Sequence, residues 1–302
     1  MASKKRIHQM TNRQWEAAFP NEDACRTYLT ACRWPEGVKC PRCGAEVGVH
    51  GTMAFNWQCY ACSEKGTSYR FSVLVGTVFE NTKYPLREWF RVIHLMLTSK
   101  KGISALQIHR MIGTGSYRTA WSMCHRIRAG LVDKEFRKLM GIVEVDETFI
   151  GGKAKNRHKN DRFDGTKGTG GSGNAIVAGA VQRKGNVVAR VIADVRAATL
   201  ETFVRESVST KVSLVCTDKW VGYKHLDREF PHGVVDHARG QYVVGAIHTQ
   251  TIEGFWSLVK RGMVGTFHKV SAKYLPLYVA EFQFRFNNRS NPDIFGEAIK
   301  GC

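Results

Sequence analysis

Two cysteine pairs constrain this chain more than any other feature: Cys40-Pro-Arg-Cys43 and Cys59-Tyr-Ala-Cys62, with 15 residues between them. Each C-x-x-C turn aims two thiolates at one point. Four thiolates complete a closed tetrahedral shell around a structural Zn²⁺ and leave no open position for chemistry. The spacing predicts a zinc ribbon held by Cys40, Cys43, Cys59 and Cys62, with Gly44 supplying the tight backbone that a knuckle needs. A redox C-x-x-C comes singly and near a βαβ pattern, so that reading is set aside. The chain has nine cysteines, six of them in the first 62 residues, and a disulfide framework predicts neither the odd number nor the crowding. Cys25 and Cys32 fall in a helical pattern and read as small buried hydrophobes.

Outside the knuckles the dominant property is charge. Against 26 Asp+Glu stand 45 Lys+Arg, a formal +19 over 302 residues. The composition is otherwise that of an ordinary globular protein, which excludes disorder and fibrous classes, and the length suits two or three domains. No stretch approaches the roughly 18 apolar residues of a membrane span, and basic Met1–Arg6 runs into His8, Gln9 and Thr11 instead of an apolar leader. These features predict a cytoplasmic protein without a membrane partner. An excess of this size attracts polyanions, and nucleic acid is the commonest of them inside cells.

The chain divides by pattern into a helical segment (1–34), the ribbon (35–83), a helical region (84–140) and a strand-rich region (141–302). Two short helices broken by Pro20 lead into the ribbon, and Tyr69–Phe79, rich in β-branched and aromatic residues, predicts a strand that completes its sheet. Pro85 opens a helix that ends near Lys100. Ser104 then caps a short helix that stops at Gly113, and Ser116–Leu131 is a second one: the outline of helix-turn-helix. The second helix mixes aromatic groups with Arg118, Arg126 and Arg128, as a helix entering a DNA groove would. Further on, Ile142–Asp146, Ala175–Val181, Asn186–Ile192 and Val212–Thr217 read as strands, with Ala197–Lys211 as a helix. The glycine-rich loop 151–174 carries six Lys/Arg and almost no apolar residue, so it reads as mobile and basic. Ser271–Arg289 closes the pattern as a helix whose stripe Leu275, Tyr278, Val279, Phe282 and Phe286 faces a core, with Glu281 and Arg285 spaced to pair.

Three acids stand at informative places. Asp146 ends the first strand and Asp218 follows the buried one, and strand ends are where open α/β sheets place their sites. If the two strands are neighbours, these carboxylates repel unless a hard divalent cation neutralises them. Glu253 offers a third acid from a helix, on one face with Lys260 seven residues later; Trp256 is expected on the same flank. Three such acids can hold two metal ions about 4 Å apart for attack on phosphorus, with Lys260 and Arg261 clamping a DNA phosphate. Glu144 and Glu147 flank Asp146, but a strand alternates sides, so only one of them can share its face. His237 and His248 read as phosphate contacts, second-sphere hydrogen bonders or structural histidines.

The combination resembles the insertion-sequence transposases of the DDE superfamily, in the bacterial group with a zinc ribbon before an RNase H-like integrase core. The residues that carry the resemblance are the two knuckles, Val145-Asp-Glu-Thr-Phe-Ile-Gly-Gly-Lys153, Thr217-Asp-Lys-Trp-Val-Gly-Tyr223, His248-Thr-x-Thr-Ile-Glu253 through Lys260-Arg-Gly262, and the tail Glu281–Arg289. It spans nearly the whole chain. The resemblance implies an α/β (α+β) RNase H-like catalytic core, and Asp146, Asp218 and Glu253 as the triad for Mg²⁺ or Mn²⁺. It further implies contact of Lys260 with double-stranded DNA, cutting at terminal inverted repeats, and joining of the freed ends to target DNA. Gln250 stands near Glu253 as another third ligand; a carboxylate binds Mg²⁺ better than an amide, so Glu253 is chosen. Holding two DNA ends together calls for a homo-oligomer on DNA, associated with the bacterial nucleoid. A DNA-binding regulator with an inactive core, and a nuclease that cuts without joining, are the alternatives.

Overall fold

The computed structural model describes residues 11–46, 49–64, 67–133, 136–151, 174–236, 243, 245 and 247–302. The bulk of the basic loop 151–174, His237 and the first ten residues lie outside that set.

The amino-terminal part runs α1 (Asn12–Ala18), α2 (Glu22–Arg33), β1 (Val49–Met53), β2 (Asn56–Glu64), β3 (Thr67–Ser72), α3 (Leu86–Thr98), α4 (Ala105–Ile112) and α5 (Tyr117–Gly130). There follow β4 (Ile142–Ile150), β5 (Ala175–Gln182), β6 (Val187–Ile192), α6 (Ala197–Ser207), β7 (Leu214–Asp218), β8 (His232–Val235), α7 (Gln250–Gly262), α8 (Leu275–Asn287) and α9 (Ile294–Gly301). The chain forms two compact units, one of residues 1–132 with Ser290–Cys302, the other Asp133–Arg289.

In the first unit, Thr11 and Asn21 cap α1 and α2 on either side of Pro20. An antiparallel sheet β1-β2-β3 forms the ribbon. The strand expected over Tyr69–Phe79 ends early, at Ser72; turns follow, in which the Thr77 hydroxyl bonds the Leu74 carbonyl and Phe79 is fully buried. Pro85 precedes α3 without a side-chain cap of its own, and the Glu22 carboxylate supplies one, accepting from Leu86 N at 2.9 Å and Arg87 N at 3.0 Å. Phe19, Tyr28, Phe90 and Phe295 meet edge-on or tilted at 5.3–6.0 Å and build the core. Phe295 lies on α9, so the final helix belongs with this unit and not with the strand-rich region in which its place in the sequence had put it. Its Ile294, Phe295, Ala298 and Ile299 are too apolar to stand in water.

The second unit is a mixed sheet in the order β6-β5-β4-β7-β8: β4, β5 and β6 are antiparallel, β4 with β7 and β7 with β8 parallel. Alternation sorts its side chains to two faces. Val143, Val145, Ala178 and Ala180 pack with Leu200, Phe203 and Val204 of α6. Val177, Val181 and Val187 pack with Ile252, Phe255 and Val259 of α7 and with Val279 and Phe282 of α8. This α/β arrangement is the RNase H-like core that the sequence predicted. The edge strand β6 is closed by α8: Asn287 Oδ1 accepts from Val187 N at 2.7 Å and Gln283 Oε1 from Ala189 N at 2.9 Å.

Candidate active site

The cysteine centre is built locally. Cys40 and Cys43 sit on a turn in which Gly44 N donates to the Cys40 carbonyl at 2.8 Å, with Gly44 at φ +74°. Cys59 and Cys62 stand on β2. The Sγ atoms of Cys40 and Cys62 are 3.7 Å apart, those of Cys43 and Cys59 are 3.8 Å apart, and all four lie within 4.8 Å of one another. A tetrahedron with Zn–S bonds of about 2.3 Å has edges of about 3.8 Å, which the Cys40–Cys62 and Cys43–Cys59 pairs already match. Hydrogen bonds from Cys62 and from the Ala45 N–H bring the Cys43 thiol down to about 7, while the same contact with Cys43 pushes Cys62 up, so the cluster favours its first thiolate at Cys43.

The acidic centre is built by sheet register. Parallel pairing of β4 with β7 runs Ile142↔Leu214, Val143↔Val215 and Glu144↔Cys216, and carried two residues on it sets Asp146 beside Asp218. The strand does not end at Asp146 as expected: it continues to Ile150 because β5 pairs with it throughout, with Asp146 opposite Gly179. Gly179 is the place where α7 comes down. A Cβ there would stand 2.5 Å from the Trp256 ring and 3.1 Å from Ile252 Cδ1. Trp256 is therefore turned into the core, 3% exposed. Glu253 and Lys260 are exposed, beside the buried stripe of α7.

Asp146 is the acid most affected by its surroundings. Burial, then the charges of Glu147, Asp218 and Glu253, push the Asp146 carboxyl up to about 7 against one backbone N–H that favours its anion. Glu147 points to the α6 face, where its Oε2 accepts from the buried Tyr223 hydroxyl at 2.6 Å, and burial raises it as well. As a set of three, Asp146, Asp218 and Glu253 do not come within the 4.8 Å closeness of the cysteines; they span a wider gap. Oxygen-only donors whose like charges repel one another suit a hard divalent cation, which a wider set of acids can hold as two ions.

Two models of known families match: an ISXO2-like transposase domain over residues 138–287 and a transposase zinc-ribbon domain over residues 20–65. An uncharacterised transposase-like protein of Haemophilus influenzae is 31% identical over 115 residues, 37% of this chain and 91% of that protein. The chain belongs to the ISXO2-like transposase family. An uncharacterised protein in the transposable element ISH50 of Halobacterium salinarum is 29% identical over 276 residues, 88% of this chain and 91% of the relative.

For a transposase, the basic residues matter next, and the structure separates them. Arg118 on α5 and Lys260 and Arg261 on α7 are exposed. Arg126 is half-buried, giving a hydrogen bond to the Glu80 carbonyl at 2.8 Å and lying over the Trp89 ring. Arg128 is 1% exposed, which corrects its expected place on a DNA-facing surface: α5 packs that side into the core with Cys124 and Ile127. The two helices themselves form as expected. Ser104 and Ser116 cap them, Gly113 takes φ +72° at the turn, and Thr114 ties His109 to the start of α5. Among the described residues no helix is long and apolar enough to cross a membrane.

Of the two acids that flank Asp146, Glu144 is the one that shares its face, as alternation requires, and the sequence assigns it no partner. It is completely buried and accepts from the first amides of α7. His248, one of the candidate histidines, has Nδ1 3.2 Å from its Oε1.

Proposed function

We propose that this transposase binds the terminal inverted repeats of its insertion sequence, cleaves the DNA strands there and joins the freed 3′ ends to target DNA. Asp146, Asp218 and Glu253 are its catalytic residues, holding Mg²⁺ or Mn²⁺. The observation that carries the reading is the crowding of three acids from β4, β7 and α7 on a chain of charge +19. When bound, divalent cations supply a nucleophile at neutral pH and stabilise the leaving oxygen in in-line displacement at phosphorus. The protein's part is to hold those carboxylates apart from one another and facing a common gap. Thr249 Oγ1 donates to Glu253 Oε1 at 2.8 Å and thereby fixes that side chain's direction. Lys260 and Arg261, exposed on the last turns of α7, bind the backbone of the strand being cut.

Arg118 on α5, together with the zinc ribbon, contacts double-stranded DNA at the element ends, and two chains bring two ends together as a homo-oligomer. The four regions of the chain then divide the work: helical segment and ribbon, helix-turn-helix, and RNase H-like core. DNA contact by phosphates predicts an affinity that falls steeply with salt.

Incubating the protein with DNA that carries the element's ends, with Mg²⁺, tests the reading. Asp146→Asn and Asp218→Asn each lose roughly 10³-fold or more in strand cleavage, equivalent to about 4 kcal/mol of transition-state stabilisation, while still binding the DNA. Unimpaired cleavage by either variant defeats the catalytic assignment. Binding without nicking by the parent protein points to a regulator, and nicks without joined product to a nuclease.

A further inference from the structure

We infer that Glu144 is a positioning residue of the acid site: it fastens the first turn of α7 to β4 and so sets Glu253 against Asp146. The inference rests on the reading of Asp146, Asp218 and Glu253 as ligands of a divalent cation.

Helix α7 begins without a cap of its own. Thr249, at its N-cap, makes no capping bond, because its hydroxyl is turned to Glu253. The amides of the first turn must find another acceptor. Glu144 Oε2 accepts from Thr251 N at 2.7 Å and from Ile252 N at 3.1 Å; Oε1 accepts from Thr251 Oγ1 at 3.0 Å and from Arg183 Nε at 2.6 Å. Arg183, in the β5–β6 turn, also donates through Nη2 to the His248 carbonyl at 3.0 Å, just before α7. One carboxylate thus joins β4, the β5–β6 turn and the start of α7.

Its place in the sequence gives that junction a function. Glu144 lies two residues before Asp146 on the same strand face, and the amides it holds belong to the two residues before Glu253. This side chain is therefore a direct polar link between the strand segment of one acid and the helix turn of the other. The far end of the same turn is fixed by Trp256 on Gly179, the strand partner of Asp146. Stability alone does not call for the arrangement, since well-packed apolar residues replace a buried ion pair at little or no cost. The first unit provides an internal contrast. Glu22 caps α3 in the same manner, through Leu86 N and Arg87 N, on a helix that carries none of the three acids.

The test measures Mn²⁺ binding by the full chain without DNA, from the paramagnetic resonance of free Mn²⁺, with melting followed in parallel. Asp146→Asn defines the background. Glu144→Gln keeps the shape but removes the charge and turns donors toward donors, and it is expected to weaken the Asp146-dependent binding about 10- to 100-fold, the range for groups that orient metal ligands. Thr251→Val removes one hydrogen bond of the junction and is expected to weaken it less, with Thr251→Ser restoring the parent value. Glu22→Gln is expected to lower the melting temperature and leave Mn²⁺ binding at the parent level. Parent-level Mn²⁺ affinity in a folded Glu144→Gln overturns the inference, as does parent-level affinity in Thr251→Val where Glu144→Gln does not fold. If Asp146→Asn binds as much Mn²⁺ as the parent, the acid-site reading itself fails, and the inference with it.

Discussion

The ribbon gathers its four thiols locally, whereas the acidic centre draws its carboxylates from distant elements. Cys40 to Cys62 is a span short enough for one turn and one hairpin to bring four thiols to 3.7–3.8 Å across the knuckles. Asp146 to Glu253 is a span of more than a hundred residues, and the acids meet only because β7 pairs beside β4 and α7 crosses the sheet at Gly179. The ribbon closes its shell with soft ligands and is a structural element. The acidic centre is wider, and burial and neighbouring charges push its Asp146 carboxyl up. A centre built within one turn and one hairpin is local, and one built across a sheet depends on the whole fold of its unit.

This contrast gives the largest expected effect. Removing zinc by chelation, or mutating Cys59→Ser, takes away a binding free energy of roughly 10–16 kcal/mol that is also folding free energy, so the ribbon unfolds. The same treatment is expected to leave the melting of the catalytic unit unchanged; calorimetry with one lost and one retained transition checks it. A single shifted transition would merge the two regions and break the comparison.

Packing comes next. Arg128→Ala removes a large buried side chain from α5 and is expected to cost roughly 2–4 kcal/mol of stability, whereas Arg118→Ala is expected to cost none. Arg118→Ala is instead expected to reduce the slope of DNA affinity against salt by about one phosphate contact. Equal stability of the two variants would return Arg128 to the surface.

Gly179→Ala drives a methyl group against the Trp256 ring and is expected to destabilise the catalytic unit by about 1–3 kcal/mol, with zinc content of the ribbon unchanged. Denaturant midpoints for the two units separate these outcomes. The smallest effect has the opposite sign. Asp146→Asn removes one like charge from the crowd and is expected to raise stability by up to about 1 kcal/mol at pH 8 in the absence of divalent cations, while abolishing cleavage. A lower melting point than the parent would show that the acid site supports the fold as the ribbon does.

How far each region could be read in advance follows from the same physics. The cysteine ligands, the serine caps of α4 and α5 and the apolar stripe of α8 were legible because each depends on neighbours within a few turns of chain. Arg128 was misjudged since an arginine on a basic helix gives no sign of which side the core will cover. The burial of Trp256 was not legible, because spacing alone does not say that a glycine on another strand leaves room for its ring. Glu144 had a signal in the alternation that ends at Asp146, but nothing in its surroundings named α7 as the partner.

By itself the sequence determined which chemistry is available: four thiolates at zinc spacing, three acids in strand and helix patterns, and a basic excess that draws nucleic acid. These are properties of residue type and short-range spacing, and they survive any arrangement of the elements. Tertiary structure alone decided which groups face each other. Register between β4 and β7 brought Asp146 to Asp218, the contact of Trp256 with Gly179 and the bonds of Glu144 to Thr251 and Ile252 set α7 on the sheet, and core packing withdrew Arg128 from solvent. Such choices turn on which surfaces bury one another, a sum over residues far apart in the chain that no local pattern records.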